Sequence, residues 1–399
     1  MNDNANLIIK TKYAQEYKDG YPLLTRESIL DLQSTPNEGT IVNLIDEKKQ
    51  FIAKAYYGIQ NRGYGWILTT KKSESIDLTF FTTKIKEALK YRENFFTNKE
   101  TTAFRVFNGE GDGIGGLSID YFDGYYMITW YSVGIYELKN YILEALKNSV
   151  EYKGIYQKKR FDAKGKYLDD EADFICGEEA PKPILVKENG VNFAIYLDDG
   201  AMVGVFLDQR CVRQTLRDKY SKDKTILNTF SYTGAFSVFA SLGGAKKTTS
   251  VDLAKRSLPK TTEQFKINSI NIDEQEIVVD DVFNYFKYAV RNKFLFDVVV
   301  LDPPSFARSK KITFSASKDY VKLLKEAIQI TNENGVIVAS TNSANFGMMT
   351  FRGFITQAFK ELKFKFKIEE RFSLPKDFRV NSNFEEANYL KVIFIRKLK

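Results

Sequence analysis

Between residues 225 and 341 the chain runs through five short apolar segments, TILNTF, TTSVDL, EIVVDD, FDVVVLD and GVIVAST, separated by helical stretches. Strand and helix in alternation constrain the fold strongly. Consecutive strands lie parallel, helices cover both faces, and the product is an α/β doubly wound, Rossmann-like sheet. Such a sheet takes its ligand outside the carboxyl ends of its strands. The residues that follow each strand therefore carry the functional information.

TILN runs into TFSYTGAFSVFASLGGAKK. A strand, a turn containing Gly234 and then a helix is the layout of a nucleoside-cofactor site, because glycine admits close backbone approach and a helix N-terminus is electropositive. An ordinary β-to-α turn reads the same way. GGAKKTT follows a helix and lacks phosphate-loop spacing. TTSV ends at Asp252, placed to accept from ribose hydroxyls or, equally, to cap the next helix. IVV ends in Asp280-Asp281, suited to an adenine amino group or again to capping. Three consecutive strands ending in a loop glycine or an acid at one sheet edge indicate an adenosine-containing cofactor.

The fourth strand gives FDVVVLDPPSF. Asp302 stands where the reacting group of the cofactor points. Pro303 and Pro304 fix the backbone and leave carbonyls as acceptors. Phe306 offers a face on which a planar base stacks. An acceptor-rich, aromatic-walled pocket suits a nucleobase flipped out of its strand, although DPP is also a rigid turn.

Upstream, LIIK, TIVNLID, FIAKAYYG and YGWILTT alternate with DG, PNEG and NRG turns and read as a small all-β module. Residues 77 to 96 read as a helix. FRVFNGEGDGIGGLSIDYF, followed by YYMITWYS, reads as strands around a tight glycine turn; a strand follows the glycines, so the phosphate-loop context is absent. KNYILEALKNSV is an amphipathic helix, YQKKRFDAKGKYLDDEADF an exposed loop, ILVKENGVNFAIYL a hairpin, and GVFLDQRCVRQTLRDKY opens a helix. The expected domains are 1–75, 76–185 and 186–399.

The chain has 59 Lys and Arg against 51 Asp and Glu, a net charge of +8, and no histidine. The excess points to a polyanionic partner, though a solvated lysine surface gives the same balance. The missing histidine removes Ser-His-Asp triads, HExxH zinc sites and an imidazole base. Two cysteines, Cys176 and Cys211, form no CxxC pair, so no cysteine metal site is expected. No apolar run reaches bilayer length and the N-terminus lacks a signal-peptide pattern; the cytoplasm is the expected location.

These motifs, with ENGVNF, GVFLDQR, LDPPSFARSK and PKDFRVNSNFEEANYLKV, resemble the bacterial class I S-adenosylmethionine-dependent 23S rRNA methyltransferases that carry an N-terminal PUA-like domain. The resemblance covers nearly the whole chain. It implies a PUA-like RNA binder over 1–75, a central α+β domain over 76–185 and the methyltransferase domain over 186–399. Leu23 stands where relatives commonly have tryptophan. S-adenosyl-L-methionine is the implied cofactor, lined by Asp208 and Arg210, by a methionine-side loop of Asn228, Phe230, Tyr232, Thr233, Gly234 and Ala235, by Asp252 at the ribose and Asp281 at the adenine, with Asn268 nearby. Asp302, Pro303, Pro304, Phe306 and Asn342 are the implied catalytic residues. The implied partner is 23S rRNA or a large-subunit assembly intermediate, with no membrane and a homodimer as an option. Lys158, Lys159, Arg160, Arg308, Lys310 and Lys311 would meet phosphates.

Cytosine-C5 enzymes need a cysteine thiolate to add to C6; here the matching position, in VIVASTNSANFG, is Asn342. TNSANFG looks like the asparagine-bearing segment of the family's guanine-N7 enzymes. Guanine N7 is the expected target. Cytosine C5, an exocyclic amine, a nicotinamide-dependent oxidoreductase and a non-catalytic RNA binder on the same fold are the alternatives.

Overall fold

The computed structural model describes residues 5–31, 36–60, 63–161, 173–199, 203–308 and 313–399. Their contacts form two units: Met1–Val186 with Ile195–Val203 and Lys376–Ala387, and Lys187–Ala194 with Gly204–Pro375 and Asn388–Lys399.

Among the described residues the first unit holds two sheets. Strands Ala5–Ile9, Ile41–Asp46, Phe51–Gln60 and Gly63–Thr69 pair in chain order. The expected all-β module also contains a helix, Thr11–Lys18. Only Ala14 and Tyr17 of that helix are buried, an apolar stripe too thin to read from sequence. The second sheet runs Ala103–Asn108, Leu117–Phe122, Tyr125–Trp130, Gly154–Lys159 and Asp173–Gly177. Asp77 caps helix Leu78–Tyr91 by accepting from the Phe80 N–H at 3.1 Å. Tyr56 and Trp66 from the first sheet share one apolar cluster with Phe104, Ile119 and Trp130 from the second.

GEGDGIGG is the connection of a hairpin, as expected. A Cβ on Gly115 would lie 2.1 Å from Trp66 Cδ2, so glycine there admits the indole. The segment expected as an exposed loop instead begins with strand Gly154–Lys159. Residues 162–172 of it lie outside the described residues.

The second unit is the doubly wound sheet. Its strands are β1 (Thr225–Thr229), β2 (Lys247–Asp252), β3 (Glu276–Val279), β4 (Phe296–Leu301), β5 (Thr331–Thr341), β6 (Lys365–Phe372) and β7 (Lys391–Leu398). The spatial order is β3-β2-β1-β4-β5-β7-β6, with β7 antiparallel to both of its neighbours and the other pairs parallel. Helices α1 (Ala235–Leu242), α2 (Ser257–Ile267), α3 (Val282–Arg291), α4 (Ala316–Gln329) and α5 (Met348–Glu361) connect them. The order reverses beside β1, which places a crevice at the carboxyl ends of β1 and β4. Val298 and Val300 pack to one face with Phe236 and Phe394, Val299 and Leu301 to the other with Phe286 and Leu324. That two-sided burial is why the strand reads as an unbroken apolar run.

Candidate cofactor and active site

A cavity of about 390 Å³ opens at the carboxyl ends of β1, β2, β4 and β5. Its wall includes Asp208, Phe230, Tyr232, Thr233, Ala235, Asp252, Asp281, Asp302, Pro303, Pro304 and Asn342, so eleven predicted residues converge on one space.

The loop after β1 is shaped by left-handed backbone at Phe230 (φ 54°), Tyr232 (φ 52°) and Gly234 (φ 77°). Two non-glycine residues in that region are unusual and mark a loop held by its surroundings. The Tyr232 N–H donates to Asp252 Oδ2 at 2.9 Å, and Thr233 Oγ1 donates to Gly204 O at 2.7 Å. Gly234 itself is not on the wall. A Cβ there would lie 2.4 Å from Thr261 Cγ2 of α2, so the glycine serves the turn and the approach of α2 rather than direct ligand contact.

Asp252 does not cap a helix. Its Oδ1 accepts from the Ala254 N–H at 2.8 Å, and α2 begins only at Ser257. Its carboxylate thus ties the β1 and β2 loops together at the cavity edge. Asp281 does both jobs: it lines the cavity and caps α3, accepting from Phe283 and Asn284 N–H at 2.9 and 3.3 Å.

At β4, Asp302 Oδ1 accepts from Gln209 Nε2 at 3.0 Å. Burial pushes its pKa up from 3.8 to about 6. The nearby Asp208 charge adds to the rise, while Ser340, Arg213 and Gln209 offset part of it. Asn342, at the end of β5, accepts through Oδ1 from Ser305 Oγ at 2.5 Å. This bond joins the DPPSF turn to the β5 loop. Phe306 is 63% exposed and not on the wall; it begins a two-stranded hairpin and its ring faces solvent.

Three other predicted cofactor residues lie off the wall. Asn228 is buried behind the loop and donates to Ser237 Oγ at 3.0 Å. Arg210 is buried in the helix Arg210–Thr215. Asn268 clamps the 187–194 hairpin, donating to Asn192 O at 2.8 Å and accepting from its N–H at 3.0 Å. The basic patch also changes. Lys158 is 2% exposed, and Lys159 pairs with Asp173 at 3.3 Å. Their alternation along a strand explains this. Lys310 and Lys311 and the Arg308 side chain lie outside the described residues.

The wall also holds residues that were not anticipated, among them Gln209, Arg213, Ser231 and Leu390. Gln209 was legible in principle, between Asp208 and Arg210. Arg213 makes a buried two-pronged pair with Glu188 at 2.8 and 2.7 Å and donates to Phe206 O at 2.6 Å. Tyr389 OH holds Asp208 Oδ2 at 2.9 Å from a segment 181 residues away in sequence, which no local pattern reveals.

Ser231 Oγ and Gln209 Oε1 are buried on this wall with no partner among the described residues. Buried polar atoms of this kind are normally satisfied. With four carboxylates around the same space, they fit a ligand that is cationic and rich in hydroxyl and amino donors.

Sheet order, left-handed loop, acids at successive strand ends and orphaned wall atoms together define a nucleoside-cofactor-dependent α/β enzyme. The comparisons with known proteins narrow that class. The S-adenosylmethionine-dependent methyltransferase family matches residues 105–395, and a PUA-like domain matches residues 7–70. The chain belongs to this methyltransferase family, and S-adenosylmethionine is its cofactor.

The YwbD protein of Bacillus subtilis (strain 168), named provisionally as a ribosomal RNA large subunit methyltransferase, is 53% identical, with 98% of this chain and 99% of that protein aligned. Ribosomal RNA large subunit methyltransferase I of Pseudoalteromonas translucida (strain TAC 125) is 30% identical, over 94% of each. Among solved structures, SMU.776 in complex with SAH superposes with a TM-score of 0.91 at 39% identity, covering 98% of this chain and all of that one. No helix among the described residues is long and apolar enough to cross a membrane.

Proposed function

We propose that this enzyme methylates guanine N7 in 23S ribosomal RNA. Relatives named for ribosomal RNA of the large subunit support the substrate class. S-adenosylmethionine, when bound, supplies an electrophilic methyl group on a sulfonium. Asp252 and Asp281 would hold its adenosyl part, the Phe230–Ala235 loop its methionine side, and Asp208 and Asp302 its cationic part.

The observation that carries the choice of atom is Asn342. With Oδ1 engaged by Ser305, its amide nitrogen is the group left to donate into the cavity. Guanine presents O6 and N7 side by side as acceptors. A donor on O6 fixes the base and leaves the N7 lone pair for attack. Adenine carries an amine at the matching position and would meet a donor with a donor. Cytosine C5 needs a thiolate, and no cysteine is on the described wall.

Attack by N7 releases no proton, which suits a chain without histidine. Methylation leaves the purine cationic, and an ionised Asp302 beside it stabilises that charge in a water-poor site. Pro303 and Pro304 keep the turn rigid, so the base is positioned rather than activated. Phe306 lies exposed beside the turn, free to stack on the RNA.

The test is an RNA substrate in which guanosine is replaced by 7-deazaguanosine. Methyl acceptance is expected to vanish; acceptance equal to that of ordinary RNA would exclude N7.

A further inference from the structure

Gln209 ends the short helical turn Leu207–Gln209, is 3% exposed and lies on the cavity wall. Its Nε2 donates to Asp302 Oδ1 at 3.0 Å and to Ser340 Oγ at 2.8 Å. Both amide hydrogens are therefore used. They also fix which way the amide faces, because a flipped amide would set its oxygen against the Asp302 carboxylate. Oε1 is left buried and unpartnered among the described residues. A buried carbonyl oxygen in this state is costly until something donates to it.

The rest of the wall narrows what that donor is. Asp208 and Asp302 present carboxylates to the same space. Arg213 is the one cation among the described wall residues, and its guanidinium is bonded to Glu188 and Phe206 O. A wall of acceptors whose lining cation is already neutralised favours a ligand group that brings both N–H donors and positive charge. An ammonium meets both conditions. A carboxylate turned toward Oε1 is repelled, and a hydroxyl or an adenine amine brings no charge.

We propose that Gln209 Oε1 accepts from the α-ammonium of the cofactor's amino-acid arm while Nε2 of the same amide holds Asp302. One side chain then reads cofactor loading and orients Asp302. The inference rests on the family's cofactor and not on which base atom is methylated.

Calorimetric titration of the full-length protein tests it with two ligands, S-adenosylhomocysteine and 5′-methylthioadenosine, which lacks the amino-acid arm. Gln209→Met keeps length and volume but removes the amide. It is expected to weaken S-adenosylhomocysteine on the order of 10- to 100-fold, the usual effect of losing a hydrogen bond to a charged group, and to leave 5′-methylthioadenosine within about twofold. Gln209→Glu retains an acceptor oxygen and is expected to keep S-adenosylhomocysteine binding. Unchanged binding of both ligands by the Met variant would overturn the proposal, as would equal weakening of both. If circular dichroism shows the Met variant unfolded, Gln209→Asn, which withdraws the amide from both partners, gives the same comparison.

Discussion

Two desolvated carboxyls in this chain are held in opposite ways. Asp112, in the glycine-rich turn of the first unit, receives both prongs of Arg92 at 2.8 and 2.7 Å and the Asn108 N–H at 2.6 Å. The two side chains of that pair are 0% and 1% exposed. Asp302, in the second unit, is bonded by a neutral amide and lies beside another carboxylate, and its pKa rises to about 6. The protein satisfies the first acid completely and leaves the second short of positive charge. An acid paired by arginine fixes a fold; one left short of charge in a cavity is available to a cationic ligand or a cationic product.

Removing each partner sharpens the contrast. Arg92→Met leaves the buried Asp112 with only the Asn108 N–H and the more distant Arg379 guanidinium, 3.8 Å away, and strips donors from Asp377 O and Arg105 O. The expected cost is about 3–5 kcal/mol. Both tryptophans, Trp66 and Trp130, lie in the first unit, so fluorescence-monitored urea unfolding reads that loss there. A variant as stable as the parent would show that the pair is not structural.

Asp302→Asn should act on chemistry instead. Methyl transfer is expected to fall on the order of 100-fold or more, as when a single charge-stabilising group is removed, while the tryptophan unfolding midpoint stays put. Because the folded pKa lies above 3.8, the ionised carboxyl is a net cost at neutral pH. Stability contributed by this group rises as pH falls through about 6. The Asn variant should therefore be no less stable at neutral pH, as read by differential scanning calorimetry.

The pH profile is a milder probe. The ionised form is the useful one, so methyl transfer should rise as pH increases through about 6 and level off above it. The Asn variant should lack that inflection. An inflection that survives in it belongs to another group.

The smallest effect is expected from Cys176→Ala combined with Cys211→Ala. Neither residue lies on the described wall, and methyl transfer should change by less than about twofold, as surface and non-contact changes usually do. Loss of transfer by a folded double variant would restore the cytosine reading.

The contrast also explains what the sequence could convey. Strands buried on both faces announce themselves as apolar runs, and residues at their ends inherit a place at the crevice. Asp252, Asp281 and Asp302 were legible for that reason. The ENG hairpin was legible because Asn189 and Gly190 adopt the positive φ its turn requires. Roles that depend on distant partners were not. Asn268 has the chemistry of a ligand contact but is spent on the Asn192 backbone. Lys158 looks solvated in a basic run until strand alternation turns it inward. Tyr389 reaches Asp208 only through the antiparallel return of the final strand.

Methylation at guanine N7 is tested most directly by nucleoside mass spectrometry of 23S rRNA from cells with and without the gene. One 7-methylguanosine is expected to disappear with the gene and to return with the parent enzyme but not with Asp302→Asn. Loss of 5-methylcytidine instead, or an unchanged nucleoside profile, would contradict N7 methylation.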